Sequence, residues 1–167
     1  AVELDVTVGL GGHAKLGAWA PVRVIVNNKG EATRGELVIP PQAATDEVSD
    51  YRVSVEVPPQ SRRAFMMYAR LRLAASALDV EFRPQTGAKV VQHATCALHD
   101  PGSRIVLTIS RKAGGLGMVG AAPVVGGSTG AQGYSAADSA VTYVTPDRSS
   151  GALGLPDRPA GYEGITA

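Results

Sequence analysis

The stretch Ser61-Arg62-Arg63-Ala64-Phe65-Met66-Met67-Tyr68-Ala69-Arg70-Leu71-Arg72-Leu73 decides the fold. Ala, Met, Arg and Leu are good helix formers, so composition alone favours a helix here. The order of the residues argues the other way. Phe65, Met67, Ala69, Leu71 and Leu73 occupy every second position, with Arg70 and Arg72 between them. A period of two gathers the apolar side chains on one side of a strand.

The same alternation runs outward from this segment. Upstream, Val53, Val55 and Val57 alternate with Arg52, Ser54 and Glu56, and Pro58-Pro59-Gln60 ends the run. Arg34 to Ile39 is a further strand closed by Pro40-Pro41, and Val22, Val24 and Val26 share one face before the turn residues Asn27-Asn28-Lys29-Gly30. Val2, Leu4, Val6 and Val8 alternate with Glu3, Asp5 and Thr7 until Gly9 to Gly12 break the strand. Downstream, Leu78, Val80 and Phe82 alternate with Asp79, Glu81 and Arg83, and Lys89 to Leu98 reads as one more apolar strand. About seven short strands with Pro/Gly punctuation predict an immunoglobulin-like antiparallel β-sandwich over residues 1–100. Trp19, Val24, Val55, Phe65 and Phe82 are expected in or against its core.

Asp100-Pro101-Gly102 is a break, and residues 101–167 change character. Arg104 to Ser110 is a near-continuous apolar run, as in a strand of a parallel sheet covered on both faces. Residues 111–139 are rich in Gly, Ala and Ser and can bury little area, so a loop ordered by a partner is expected. Ala140 to Thr145 is a further strand, and residues 146–161 are turn-rich. The expected fold class is thus mainly β: a sandwich followed by a Gly-rich extended tail with a few strands, an arm or an incomplete Rossmann-like segment. On such an arm Val119, Val124, Val125 and Tyr134 are the expected anchors on a partner protein.

The totals narrow the function classes. With 44% hydrophobic but only 5% aromatic residues, the core must be built from Val, Leu, Ile and Ala. Sixteen Lys+Arg against fifteen Asp+Glu give a net charge of +1, which makes no electrostatic case for nucleic acid. The single cysteine, Cys96, excludes an intrachain disulfide. No apolar run reaches the roughly 18 residues of a membrane span. An alanine at position 1 is what cleavage after a small-residue site leaves behind, an expectation of export.

No constellation of residues points to catalysis, a cofactor or a metal. Gly115-Leu116-Gly117-Met118-Val119-Gly120 matches the dinucleotide pattern after a strand, but Pro123 and Gly126-Gly127 interrupt the helix that must follow, so a flexible loop is expected. His93 and His99 lie six apart near Cys96 and Asp100, yet parity puts Cys96 opposite both histidines on an unbroken strand. Cys96 among Ala94, Ala97 and Leu98 reads as a buried thiol rather than a nucleophile, and no Gly-x-Ser-x-Gly elbow occurs. Asp46, Glu47 and Asp50 read as a solvated acidic loop, not a calcium site. Trp19 reads as a core plug rather than a binding surface, and Arg52, Arg62, Arg63, Arg70 and Arg72 as a solvated sheet face rather than a basic patch.

The stretch Val6 to Val24, with Trp19-Ala20-Pro21-Val22, then Asn27-Asn28, Arg34-Gly35-Glu36-Leu37 and Val57-Pro58-Pro59-Gln60-Ser61-Arg62-Arg63, resembles a group of bacterial extracytoplasmic proteins. In that group an immunoglobulin-like sandwich leads into a glutamine-amidotransferase-like Rossmann domain, often followed by a membrane anchor. The resemblance covers residues 2 to about 110; Leu155-Pro156-Asp157-Arg158 and Gly161-Tyr162-Glu163-Gly164 look like the approach to a third Rossmann strand. It departs where Gly-rich sequence replaces the helix after residue 110. The resemblance implies a periplasmic or cell-surface, membrane-associated protein. The expected function is a non-catalytic structural or interaction module. The alternative is a ligand-binding or vestigial amidotransferase-like domain using Gly115–Gly120.

Overall fold

The computed structural model describes residues 1–41, 50–72, 77–109, 139–144 and 154–165. Its strands are β1 (Val2–Val8), β2 (His13–Lys15), β3 (Trp19–Asn28), β4 (Thr33–Ile39), β5 (Tyr51–Val57), β6 (Ser61–Arg70), β7 (Ala77–Pro84), β8 (Val90–Thr95), β9 (Ala97–His99), β10 (Arg104–Ile109) and β11 (Ser139–Val144). The helix-favouring composition of residues 61–70 is overridden, because a strand there buries Met67 and Ala69 while a helix would have to expose part of the set.

Two antiparallel sheets form the sandwich, one ordered β1-β3-β6 and the other β5-β4-β7-β8. Alternate residues of each meet in a single core: Val22, Val24, Val26, Met67 and Ala69 from the first sheet, Leu37, Ile39, Val55, Val57, Val80 and Phe82 from the second. Phe82, Leu37, Val22, Val24 and Val80 are all 0% exposed. The long β3–β6 ladder aligns Val24 with Phe65 and Val22 with Met67, so the inner faces stay in step along its whole length. As expected, Val24, Val55 and Phe82 are core residues and Phe65 packs against them.

Two details differ from the sequence reading. Trp19 is half-buried and lies outside the core cluster. It is out of step with Ala20, Val22, Val24 and Val26, so it leaves the inner face at the rim of the sandwich. Second, Lys89 to Leu98 is not one strand. The ladder to β7 ends at Thr95, and after Cys96 the chain switches to a parallel pairing of β9 with β2. The Ala97 N–H bonds the Gly12 carbonyl at 2.7 Å and the Leu16 N–H bonds the His99 carbonyl at 2.9 Å. Ala94, Cys96 and Leu98 keep their period of two across this switch, which is why the pattern conceals it. Gly9 makes the loop before β2 possible: its φ is +77°, and a Cβ there would lie 2.1 Å from the His13 carbonyl oxygen.

In the C-terminal stretch the parallel pairing of β10 with β11 agrees with the apolar run at 104–110, and residues 154–165 are turn-rich as expected. A 3-10 turn at Pro159–Tyr162 lies against β3, with Pro156 and Gly161 buried. Gly161 is demanded by this contact, because a Cβ there would come within 2.2 Å of Pro156 and 3.0 Å of the Tyr68 ring.

Candidate functional site

β5 and β6 are both outer strands, one of each sheet, and the Pro58–Gln60 connection joins them. At the far end from that turn the two sheets leave a cleft of about 430 Å³ whose walls include Trp19, Tyr51, Met66 and Tyr68. The Trp19 and Tyr51 rings meet edge to face, 5.5 Å between centroids at 75°. The backbone N–H of Trp19 donates to a Glu163 carboxylate oxygen at 2.8 Å. Its indole N–H has no acceptor among the described residues.

The polar groups at the rim hold structure. Arg52 makes two hydrogen bonds to the Asp50 carboxylate, at 2.7 and 2.9 Å, and one to Glu36 at 3.2 Å. Its hydrogen bond keeps the Asp50 carboxyl below the usual carboxylate range. The Tyr68 hydroxyl donates to the Asp157 carboxylate and accepts the backbone N–H groups of Asp157 and Arg158, each at 3.1 Å. Burial first, and then the Asp157 carboxylate, push the phenol up, while the Tyr68 hydrogen bond holds the Asp157 carboxyl down. The Arg158 guanidinium sits 6.0 Å from the Tyr68 ring centroid. One wall of the cleft is therefore the C-terminal turn, clamped in place by a tyrosine of β6.

A wider depression of about 800 Å³ crosses the outer face of the four-stranded sheet near Arg34, Glu36, Ser54 and Glu56. It is larger but has no aromatic wall, and Arg34 and Glu56 pair across it at 3.0 Å. Size alone does not make it the better site, because anchoring needs rigid apolar surface.

The histidines and the thiol are dispersed or engaged elsewhere. His93 on β8 contacts Asp79 on β7. His99 instead meets His13, its Nε2 lying 2.9 Å from Nδ1 of His13. Cys96 is half-buried, and burial pushes its thiol pKa up, the opposite of an activated nucleophile. Among the described residues no group of three His, Cys, Asp or Glu could hold a metal ion, and no helix is long and apolar enough to cross a membrane. The arginines do not form one face: Arg52 is paired on β5, Arg62 approaches Asp5 at 3.9 Å, and Arg70 donates to the Gly17 carbonyl at 2.6 Å. Val119, Val124, Val125, Tyr134, the Gly115–Gly120 motif, Asp46 and Glu47 lie outside the described residues.

Tyr51, Met66 and Tyr68 carry the cleft, and the sequence reading passed over them. A usable signal was present: Trp19 and Tyr68 are aromatic residues on the out-of-step positions of β3 and β6. An immunoglobulin-like β-sandwich with an aromatic cleft between its two outer strands is the class these features define. Residues 1–99 match the family described as Domain of unknown function (DUF8726), and the chain belongs to that family. No curated protein matches the sequence.

Proposed function

We propose that this protein is a non-catalytic interaction module that binds or stabilises a larger, membrane-associated protein assembly on the extracytoplasmic side. The observation that carries this reading is the open cleft of Trp19, Tyr51 and Tyr68 between the two outer strands. Tyr and Trp supply large contact area at low entropic cost, which is why they dominate binding surfaces. The neighbouring titratable groups support binding over chemistry. Tyr68 is engaged with Asp157 and the backbone N–H of Arg158, and Asp50 with Arg52, so these side chains are committed to holding the cleft's walls. The extracytoplasmic location rests on the resemblance of residues 2 to about 110 described above.

Replacing Met66 with a photo-crosslinking residue in the full chain tests the reading in intact cells. The expected product is a discrete crosslinked protein in the membrane fraction, lost when Tyr51→Ala is added. Crosslinks that stay within the chain, or that survive Tyr51→Ala unchanged, would refute it.

The parallel β10–β11 pair favours a second reading, a ligand-binding or vestigial amidotransferase-like unit using Gly115–Gly120. Thermal shifts with NAD, ATP and FAD separate the two: a shift abolished by Gly117→Val supports the second.

A further inference from the structure

We propose that His13 and His99 form an acid-opened latch on the C-terminal turn, released when both imidazoles carry a proton at their facing nitrogens. Such a latch is a device of the fold and does not depend on what the cleft binds.

The proton count at the pair sets the switch. His13 Nδ1 and His99 Nε2 lie 2.9 Å apart. A bond between them needs a proton on one nitrogen and a lone pair on the other. Two neutral rings meet that condition. So does a pair with one extra proton, because the imidazolium donates to its neutral neighbour. A second proton leaves two N–H groups and two positive charges face to face, and the bond is lost. Burial holds both rings neutral further into acid than a free imidazole; Lys15 adds to this at His99, and Asp100 opposes it. Of the other charged groups around the junction, Arg70 is bound to the Gly17 carbonyl at 2.6 Å and Glu163 to the Trp19 N–H at 2.8 Å. Arg104 opens β10, whose Ile105 reaches the same pocket as His13. The latch is therefore shut at neutral pH and opens on the acid side.

What the latch holds follows from packing. β2 is short: its ladder to β9 covers three residues, and a bridge from His13 to Leu10 ties it to the loop before it. The C-terminal turn is seated on this strand. His13, Ala14, Lys15 and Trp19 face Gly161, Gly164 and Ile165 across a pocket with only about 10 Å³ of free space, room for one water at most. A Cβ on Gly164 would already touch the Lys15 side chain, at 3.7 Å. The upstream end of the turn is clamped separately, by Tyr68 through Asp157 and Arg158. When the His13–His99 bond is lost, β2 loosens. The 161–165 end then loses its seat, while the 157–158 end stays bound to Tyr68.

Amide protection factors of the full chain, measured from about pH 7.5 to 4.5, test the latch. The Leu16 and Ala97 N–H groups bond across the β2–β9 junction, and those of Glu163 and Ile165 close the turn. All of these should lose protection together on acidification, by about tenfold or more, while Val24 and Val26 in β3 keep theirs. Ring-proton shifts of the two histidines follow the titration in the same samples, and the amides should open with the second protonation step of the pair. His13→Gln and His99→Gln, each alone, keep a side chain that donates and accepts but leave one titrating ring, so protection should become flat with pH. Thermal unfolding and protection in β3 check that each variant is folded. Loss confined to Leu16 and Ala97 would uncouple the turn from the pair and end the inference. Loss that tracks the first protonation step, or that survives in both variants, would assign the opening to another group such as Asp100 or Glu163 and end it too. Protection unchanged with pH in the native chain would do the same.

Discussion

The imidazoles of His13 and His99 meet end to end in nearly one plane. Their nitrogens are 2.9 Å apart and the rings are inclined by 18°. The centroid separation of 5.2 Å is the nitrogen separation plus one ring radius on each side, so the nitrogens lie close to the line of centres. The rings are thus joined by an in-plane N–H···N hydrogen bond rather than stacked face on face. The bond pins β2 to β9, where their parallel ladder is only three residues long.

Acid should loosen this junction. Burial holds both histidines below their ordinary value of 6.5, helped by His99 acting on His13 and by Lys15 acting on His99, with Asp100 opposing on His99. The unfolded chain therefore binds more protons than the native one just below that value. The stability contributed is complete above pH 6.5 and is lost as the pH falls through the depressed native values. Melting temperatures measured from about pH 8 to 5.5 should fall for the native chain and stay flatter for His13→Gln/His99→Gln. Equal slopes would show that the pair does not control this window.

A second acid-sensitive contact lies on the four-stranded sheet. The Glu81 side chain is 10% exposed and binds Arg83 at 2.7 Å and Lys89 at 3.0 Å. The Lys89 hydrogen bond, then that of Arg83, holds its carboxyl below the ordinary 4.5. Its contribution is present above pH 4.5 and disappears as the pH drops through the lowered native value. Glu81→Gln should flatten the acid limb of the denaturation profile below the histidine window, measured by urea midpoints at several pH values.

The clamp on the C-terminal turn can be opened without touching the core. Tyr68→Phe removes the hydroxyl that contacts Asp157 and accepts the backbone N–H groups of Asp157 and Arg158. Gly161→Ala forces a methyl into Pro156. Each change should speed amide exchange over residues 155–163 while exchange in β3 and β4 stays slow. Uniformly faster exchange would mean that the turn and the sandwich unfold together.

Core and cleft should respond differently to truncation. Phe82 is fully buried, so Phe82→Ala should cost about 3–5 kcal/mol. Trp19 is half-buried outside the core cluster, so Trp19→Ala should cost less, roughly 1–2 kcal/mol. Urea denaturation of the full chain compares them, and a Trp19 loss equal to that of Phe82 would return the ring to the core.

Much of the sandwich was legible because each of its strands advertises its buried face locally. Val22, Val24 and Val26, or Val53, Val55 and Val57, show a period of two within a few residues, and Pro58-Pro59 marks where the run must stop. The cleft was not legible in this way. Tyr51 and Trp19 are 32 positions apart in the chain, and their contact exists only because β3 and β5 belong to different sheets that meet at one rim. The packing of the C-terminal turn was hidden for the same reason: Tyr68 and Asp157 are 89 positions apart in the chain.

The amino-acid sequence by itself determined the class of element, the inner face of each strand and the apolar make-up of the core, because side-chain alternation and turn chemistry act between neighbours. Only the tertiary structure decided which strands became sheet edges, that His99 pairs with His13 rather than sharing a strand with His93, and that residues 154–165 fold back to wall an aromatic cleft. Those outcomes depend on distances between segments far apart in the chain. They are set when two twisted sheets close over one core and leave particular rims exposed, and local periodicity carries no record of that closure.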